Sequence, residues 1–146
     1  MSKKYKTGYT TGVFDMFHVG HLNILKSSKA LCDYLIVGVT SDELCRQRKN
    51  KCPVISLPER MAIVEAIKYV DRVVIQSDMD KLKAALQYHV DVVFVGSDWE
   101  NTPQWIEYEK QLKKINCDVI YLPHTDGISS TMLKDVLVTA SSPPPL

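Results

Sequence analysis

Short apolar runs recur along the chain, separated by longer stretches in which apolar residues return every three or four positions. Residues 34–40 (Tyr-Leu-Ile-Val-Gly-Val-Thr) and 92–96 (Val-Val-Phe-Val-Gly) are nearly continuous and β-branched, the pattern of strands covered on both faces. Residues 72–75 and 118–122 read as shorter strands. A further strand over 8–14 is placed by position more than by hydrophobicity, because Gly-Tyr-Thr-Thr-Gly is polar. Helical periodicity fills the intervals: over 21–32, where Leu22, Ile24, Leu25 and Leu31 make a stripe, and over 79–89, 102–115 and 129–138. Ser56-Leu-Pro-Glu59 has the spacing of a capping box with a proline in the first turn. It predicts a helix over 60–69, in which Ile63, Ala66, Ile67 and Val70 share one apolar face.

Strand and helix alternate throughout. The expected fold is therefore α/β: a single Rossmann-like domain, with a five-stranded parallel sheet in the order 3-2-1-4-5, right-handed crossovers and helices on both faces. In such sheets a ligand sits outside the carboxyl ends of the strands, where the strand order reverses. Chemistry is then expected in the loop after the first strand. The domain is expected over residues 1–138. The remaining residues 139–146, which include Ser-Ser-Pro-Pro-Pro-Leu, have little to bury and are expected to fray.

Composition narrows the setting. The 146 residues carry 18 basic and 17 acidic side chains, a net charge of +1, and 45% are hydrophobic. That is one domain with a core, without the strong basic bias of a general nucleic-acid binder. No apolar run approaches the roughly 20 residues of a membrane span, so neither nucleic acid nor membrane is an expected partner. The basic start, Met-Ser-Lys-Lys-Tyr-Lys, leads into no apolar stretch, and no secretory signal is expected. Cys32, Cys45, Cys52 and Cys117 form no Cys-x-x-Cys pair, which fits reduced thiols and a cytoplasmic location.

The loop after the first strand, Thr11-Gly-Val-Phe-Asp-Met-Phe-His-Val-Gly-His21, is neither a dinucleotide fingerprint nor a Walker A sequence. It does hold His18 and His21 three apart at a helix start, so both imidazoles share one face. Free amides and the positive dipole end make that position attractive to phosphate, and Gly20 lets a ligand approach the backbone. Two alternatives stand beside this one: a metal pair, for which no third ligand is close in sequence, and a purely structural pair. His89, alone near a helix end, reads as structural. The run Arg46-Gln-Arg-Lys-Asn-Lys51 reads on its own as a solvated loop.

Gly12-Val-Phe-Asp-Met-Phe-His-Val-Gly-His21 resembles the His-x-Gly-His signature of the cytidylyltransferase branch of the nucleotidyltransferase superfamily. Three further stretches match in order: residues 58–71, ending in Tyr-Val-Asp; Val95-Gly-Ser-Asp-Trp99; and Thr125-Asp-Gly-Ile-Ser-Ser-Thr131. The similarity spans about residues 10–137 and is nearest to the short members that act on glycerol 3-phosphate. It implies that CTP is attacked directly at its α-phosphorus by a small alcohol phosphate, most simply sn-glycerol 3-phosphate. CDP-glycerol and pyrophosphate would form with Mg²⁺ assistance and no covalent intermediate. It also implies a homodimer.

Residue roles follow from the same resemblance. His18 and His21 would contact the triphosphate and its transition state, and Gly12, Val13 and Phe14 would border the nucleotide. Ser129, Ser130 and Thr131, with Thr125 and Ile128 beside them, would meet the β- and γ-phosphates, Ser129 sharing in catalysis. Lys49 would act on the α-phosphate or the acceptor phosphate, with Lys51 nearby on a loop able to close over the ligand. Arg60 would pair with a phosphate, or else with a nearby carboxylate. Asp98 would accept from the cytosine amino group, Trp99 would pack the site, and Asp15 would orient the loop. Lys68 and His124 stand where the glycerol-3-phosphate members carry arginine, which loosens the choice of acceptor. Phosphocholine or phosphoethanolamine is the alternative acceptor, with Trp99, Trp105 and Tyr108 as an aromatic cage. An adenylyltransferase and a non-catalytic nucleotide-binding module are the alternative functions.

Overall fold

The five apolar runs form one parallel sheet in a computed structural model that describes residues 5–50 and 52–123, with Lys49 represented by its backbone. The strands are β1 (Tyr5–Gly12), β2 (Cys32–Thr40), β3 (Arg72–Gln76), β4 (Val92–Gly96) and β5 (Asp118–Leu122). Their order is β3-β2-β1-β4-β5, all parallel, as the alternation predicts. Between them run α1 (Val19–Ala30), α2 (Asp42–Lys49), α3 (Leu57–Glu65), α4 (Lys81–Tyr88) and α5 (Pro103–Lys113), with a 3₁₀ turn at Ser97–Trp99.

Period-two alternation in β2 and β4 divides the core between the two faces. Leu35, Val37 and Val39, with Val92 and Phe94, pack under Leu25 of α1 and Val64 of α3. Ile36 and Val93, with Tyr9, pack under Ala85 of α4 and Trp105 and Leu112 of α5. Gly38 has no side chain because a Cβ there would come within 2.6 Å of the Tyr9 hydroxyl.

Several boundaries differ from expectation. β1 begins at Tyr5 and ends at Gly12, not at 8 and 14. Phe14 and Met16 then take left-handed backbone, with φ of 54° and 48°, so the strand cannot continue through them. The charge run is not simply a loop: up to Lys49 it belongs to α2, whose N-cap Ser41 accepts from the Leu44 amide and whose first turn carries Asp42 and Glu43. Helix α3 starts three residues before 60 and ends at Glu65, four before 69. Ser56 has N-cap geometry but makes no side-chain cap bond. Pro58 removes one of the two amides that a capping hydroxyl serves. The expected helix over 129–138 and the tail lie outside the described residues.

The strands also set where a crevice can open. β1 stays paired with β2 up to Gly12↔Val39, but its pairing with β4 stops at Thr10↔Phe94. A bond from Thr10 Oγ1 to the Phe94 carbonyl, 3.0 Å, marks the last tie between those strands. β1 and β4 are the strands between which the chain reverses direction across the sheet, so the gap falls where the fold rule places a ligand.

Candidate active site

The gap is filled by a cavity of about 190 Å³ at the carboxyl ends of the strands. Thr11 and Gly12 of β1, Thr40 of β2, Gln76 of β3 and Gly96 of β4 reach its wall, and Trp99 and Trp105 close one side. Two cations enter it, Arg48 from α2 and Lys81 from α4, and no carboxylate lines it among the described residues. Apolar walls with convergent cations form an anion site.

Lys81 is the residue that sequence reasoning missed. It is the first residue of α4 and only 3% exposed. Its Nζ donates to Thr11 Oγ1 at 2.9 Å and lies 5.7 Å from the centre of the Trp105 ring. Burial, reinforced by the charge of Arg48, lowers its pKa to about 8. A cation at a helix amino terminus is also opposed by the helix dipole. One hydroxyl and one aromatic face are modest compensation for a buried cation, which makes Lys81 a candidate functional group. The sequence did hold a signal: Lys81 shares a helix face with the buried Ala85, four residues on. A lysine in register with a buried stripe needs a reason.

At the start of α1 the two histidines form a capping box of their own. His18 is the N-cap, and its Nδ1 accepts from the Gly20 amide at 3.0 Å. The Nδ1 of His21 accepts from the His18 amide at 3.2 Å. Two of the amides expected to greet phosphate are therefore taken by imidazole. In exchange each ring has its acceptor nitrogen engaged, which puts the proton on Nε2 and makes that nitrogen a donor. The rings stack with centroids 4.0 Å apart, and Phe14 and Phe17 pack on His21 at 5.4 and 5.3 Å. Burial, then the neighbouring His18, lowers the pKa of His21 to about 4, and burial lowers that of His18. Both rings are neutral at pH 7. They do not line the cavity wall; Ile24, three residues beyond His21 on α1, does.

The other predicted residues fall into three groups. Gly12 and Val13 line the cavity, and Phe14 packs in the core beneath His21. Asp98 sits exposed on the 3₁₀ turn that follows β4, with Trp99 beside it at the rim. Asp15 orients the loop as expected: it is buried and accepts from the Val54 and Ile55 amides at 2.8 and 2.9 Å.

Arg60 does not face a ligand. It is fully buried, and its guanidinium donates to the carbonyls of Ile55, Val13 and Thr40 and to the Asp42 carboxylate. The pairing seen is the carboxylate one, with Asp42, and Arg60 does not line the cavity. Lys68 is also not at the site within one chain. It follows α3 on the approach to β3, at the amino-terminal edge of the sheet, and lies 5.2 Å from the Tyr69 ring. The aromatic cage is closed as well. Trp105 is buried, Tyr108 packs edge-on against it, and the cation over its face is the protein's own Lys81. Lys51, His124, Thr125, Ile128, Ser129, Ser130 and Thr131, and the Lys49 side chain, lie outside the described residues. Among the described residues no three His, Cys, Asp or Glu side chains cluster so as to hold a metal ion, and no helix is long and apolar enough to cross a membrane.

Comparison with known proteins agrees with this geometry. Residues 9–136 match the family described as cytidylyltransferase-like. A glycerol-3-phosphate cytidylyltransferase from Bacillus subtilis is 36% identical over 127 residues, covering 86% of this chain and 92% of that one. An FAD synthase from Thermococcus sibiricus is 36% identical over 126 residues, covering 85% of each. Among solved structures, a lipopolysaccharide core biosynthesis protein from Thermoplasma volcanium superposes with a TM-score of 0.69 at 29% identity, covering 82% of this chain and 96% of that one.

Proposed function

Because the chain belongs to the cytidylyltransferase-like family and is therefore a nucleotidyltransferase, we propose that it transfers CMP from CTP to sn-glycerol 3-phosphate. An oxygen of the acceptor phosphate attacks the α-phosphorus, the bond to the bridging oxygen of the β-phosphate breaks, and pyrophosphate leaves as CDP-glycerol forms. The observation that carries this reading is the cavity at the strand ends, where Arg48 and Lys81 converge without a carboxylate. Such transfer depends on holding two anions in line and on neutralising the charge spread over the reacting phosphoryl group.

The two neutral imidazoles supply Nε2–H donors whose direction is fixed before substrate arrives, because each Nδ1 is tied to backbone. Preorganised donors of this kind contribute on the order of 3 kcal/mol each to a transition state. The described residues offer no metal cluster, so Mg²⁺ enters the proposal as the cation that travels with the triphosphate. Asp98 is the proposed acceptor for the cytosine amino group. Lys49, Lys51, Thr125, Ser129, Ser130 and Thr131 are carried as phosphate ligands on the family resemblance. A cytoplasmic homodimer belongs to the same proposal, and light scattering tests the oligomeric state.

The position of Lys81 supports glycerol 3-phosphate as the acceptor. Its ammonium covers the Trp105 face that a quaternary ammonium would need, so a phosphocholine headgroup meets a like charge in place of an open aromatic surface. Glycerol 3-phosphate brings only hydroxyls and a phosphate. The similarity to an FAD synthase keeps ATP as the nucleotide to test against CTP. The enzyme is incubated with CTP or ATP and with glycerol 3-phosphate or phosphocholine, and products are read by mass. CDP-glycerol and pyrophosphate are expected. Turnover with ATP alone overturns the nucleotide, an equal kcat/KM for phosphocholine overturns the acceptor, and binding without turnover leaves a nucleotide-binding module.

A further inference from the structure

Arg60 bonds to four partners on three segments of the chain, at residues 13, 40–42 and 55. Its Nη1 donates to the Val13 carbonyl at 2.8 Å and to the Thr40 carbonyl at 2.7 Å, its Nε to the Ile55 carbonyl at 2.8 Å, and its Nη2 to the Asp42 carboxylate. Three of the four partners belong to the segments at the cavity. Val13 and Thr40 line it, and Asp42 opens the helix that carries Arg48. The fourth, at Ile55, is gripped from both sides. Asp15 accepts from its amide and from that of Val54, while Arg60 takes its carbonyl.

Asp15 lies between Phe14 and Met16, both held at positive φ. Each such conformation costs an L-residue about 1–2 kcal/mol and persists where surrounding contacts over-determine it. Here those contacts are two buried ionic side chains of opposite sign, and both act on the same segment. Arg60 and Asp42 thus couple the conformation of the histidine-bearing loop to the placement of α2.

We propose that Arg60 is a positioning residue: with Asp42 and Asp15 it locks the strained β1–α1 loop to the start of α2, so that the Gly12–Val13 wall and Arg48 are placed around one cavity as a unit. The proposal rests on reading that cavity as the reaction site. Helix α2 is held at its start by this lock, together with its buried Leu44 and Cys45, and Arg48 lies nearly two turns beyond Asp42. Small rotations at Asp42 therefore become larger displacements at Arg48, and misplacement by about 1 Å costs up to a hundredfold in rate.

A double-mutant cycle tests the coupling in the full-length protein. Asp42→Asn keeps an acceptor oxygen at a partly exposed position and removes the charge that aligns the guanidinium. It is expected to lower kcat/KM about tenfold, and to weaken triphosphate binding, followed by tryptophan fluorescence, in parallel. In an Arg48→Ala background the same substitution is expected to cost clearly less than in the parent, because one of the groups it positions is gone. Arg60→Lys, which keeps the charge and loses the fork, should behave like Asp42→Asn. Equal losses in both backgrounds, or an unchanged kcat/KM for Asp42→Asn alone, overturn the lock. The cycle is run with whichever triphosphate turns over, so a preference for ATP overturns the nucleotide assigned above while the coupling is still decided by the cycle.

Discussion

The two edges of the sheet use charge in opposite ways. At the amino edge an aspartate stands at the entry to each of β3, β4 and β5. Asp71 accepts from the Leu35 amide and from Lys29, Asp91 accepts from the Thr7 amide, and Asp118 accepts from the Tyr5 hydroxyl. The Lys29–Asp71 side chains keep 21% and 32% of their surface in water, so these ties cost little to form. At the carboxyl edge three charged groups are buried: Arg60 at 0%, Asp15 at 2% and Lys81 at 3% exposure. Burial of that kind costs several kcal/mol per ion unless each is compensated. Arg60 is compensated by four bonds within the chain, whereas Lys81 has one hydroxyl and an aromatic face. One edge fastens strands with exposed ties, and the other buries its ions, of which Lys81 is the least compensated.

The largest effect expected at the carboxyl edge comes from the histidines, and a pair of substitutions separates their two duties. His18→Ala removes both the helix cap and the Nε2–H donor. It should lower kcat at least a hundredfold and stability by about 1 kcal/mol. His18→Asn restores a good N-cap without an imidazole donor, so its Tm should return to that of the parent while kcat stays low. Should Asn restore turnover, the imidazole is a cap and nothing more. Lys81→Met comes next. Removing a cation whose pKa has dropped from 10.5 to about 8 relieves on the order of 3 kcal/mol of burial cost. Tm is expected to rise by several degrees, while the KM for the acceptor rises about tenfold. A variant that loses both stability and affinity would make Lys81 an ordinary structural group.

The amino edge supplies the control. Asp71→Ala strips the Leu35 amide and Lys29 of their partner and should cost about 1–3 kcal/mol of stability. Its kcat/KM, counted per folded molecule, should remain within twofold. A large loss of turnover there would erase the distinction between the edges.

What could be read from the sequence follows the same division. The β-branched runs of β2 and β4 and their alternation with helices point to a parallel α/β sheet, because a buried parallel strand has little freedom in composition. The strand order is a common arrangement of such sheets, and no local pattern encodes it. Helix α2 was hidden because its polar residues outnumber Leu44 and Cys45, and a short helix held mainly by Ser41 and its acidic first turn leaves no apolar stripe. The cap at His18 was hidden because imidazole is outside the usual set of capping side chains, while Ser56 has the spacing and no cap bond. Arg60 shows the limit most clearly. Its residue type allowed a phosphate or a carboxylate, and the choice was made by carbonyls 47 and 20 positions away, separations that no local pattern encodes. Lys81 was missed for the converse reason, that helix registers are read for apolar residues and a lysine on the buried face was passed over.

The smallest expected effect is also the one that sets stability and function against each other in a single residue. Lys81 is protonated in the folded and unfolded chain alike at neutral pH, so the cost of burying its charge is fully present there. As pH rises past about 8 the folded protein gives up that proton, while the unfolded chain, with an ordinary lysine pKa, keeps it until about 10.5. The unfolded state then binds more protons, and stability gains from this group as pH increases. The acceptor loses its ammonium over the same interval, so its KM should climb severalfold between pH 7.5 and about 9 while kcat changes less. Other groups move stability the other way: burial raises the Cys117 thiol and the Tyr5 phenol, each to about 12, and both favour unfolding at high pH. The comparison that isolates Lys81 is therefore the gap in Tm between Lys81→Met and its parent, which should narrow from pH 7.5 to 9.5. A gap independent of pH, together with a flat KM, would mean that the ammonium facing Trp105 has no part in holding an anion.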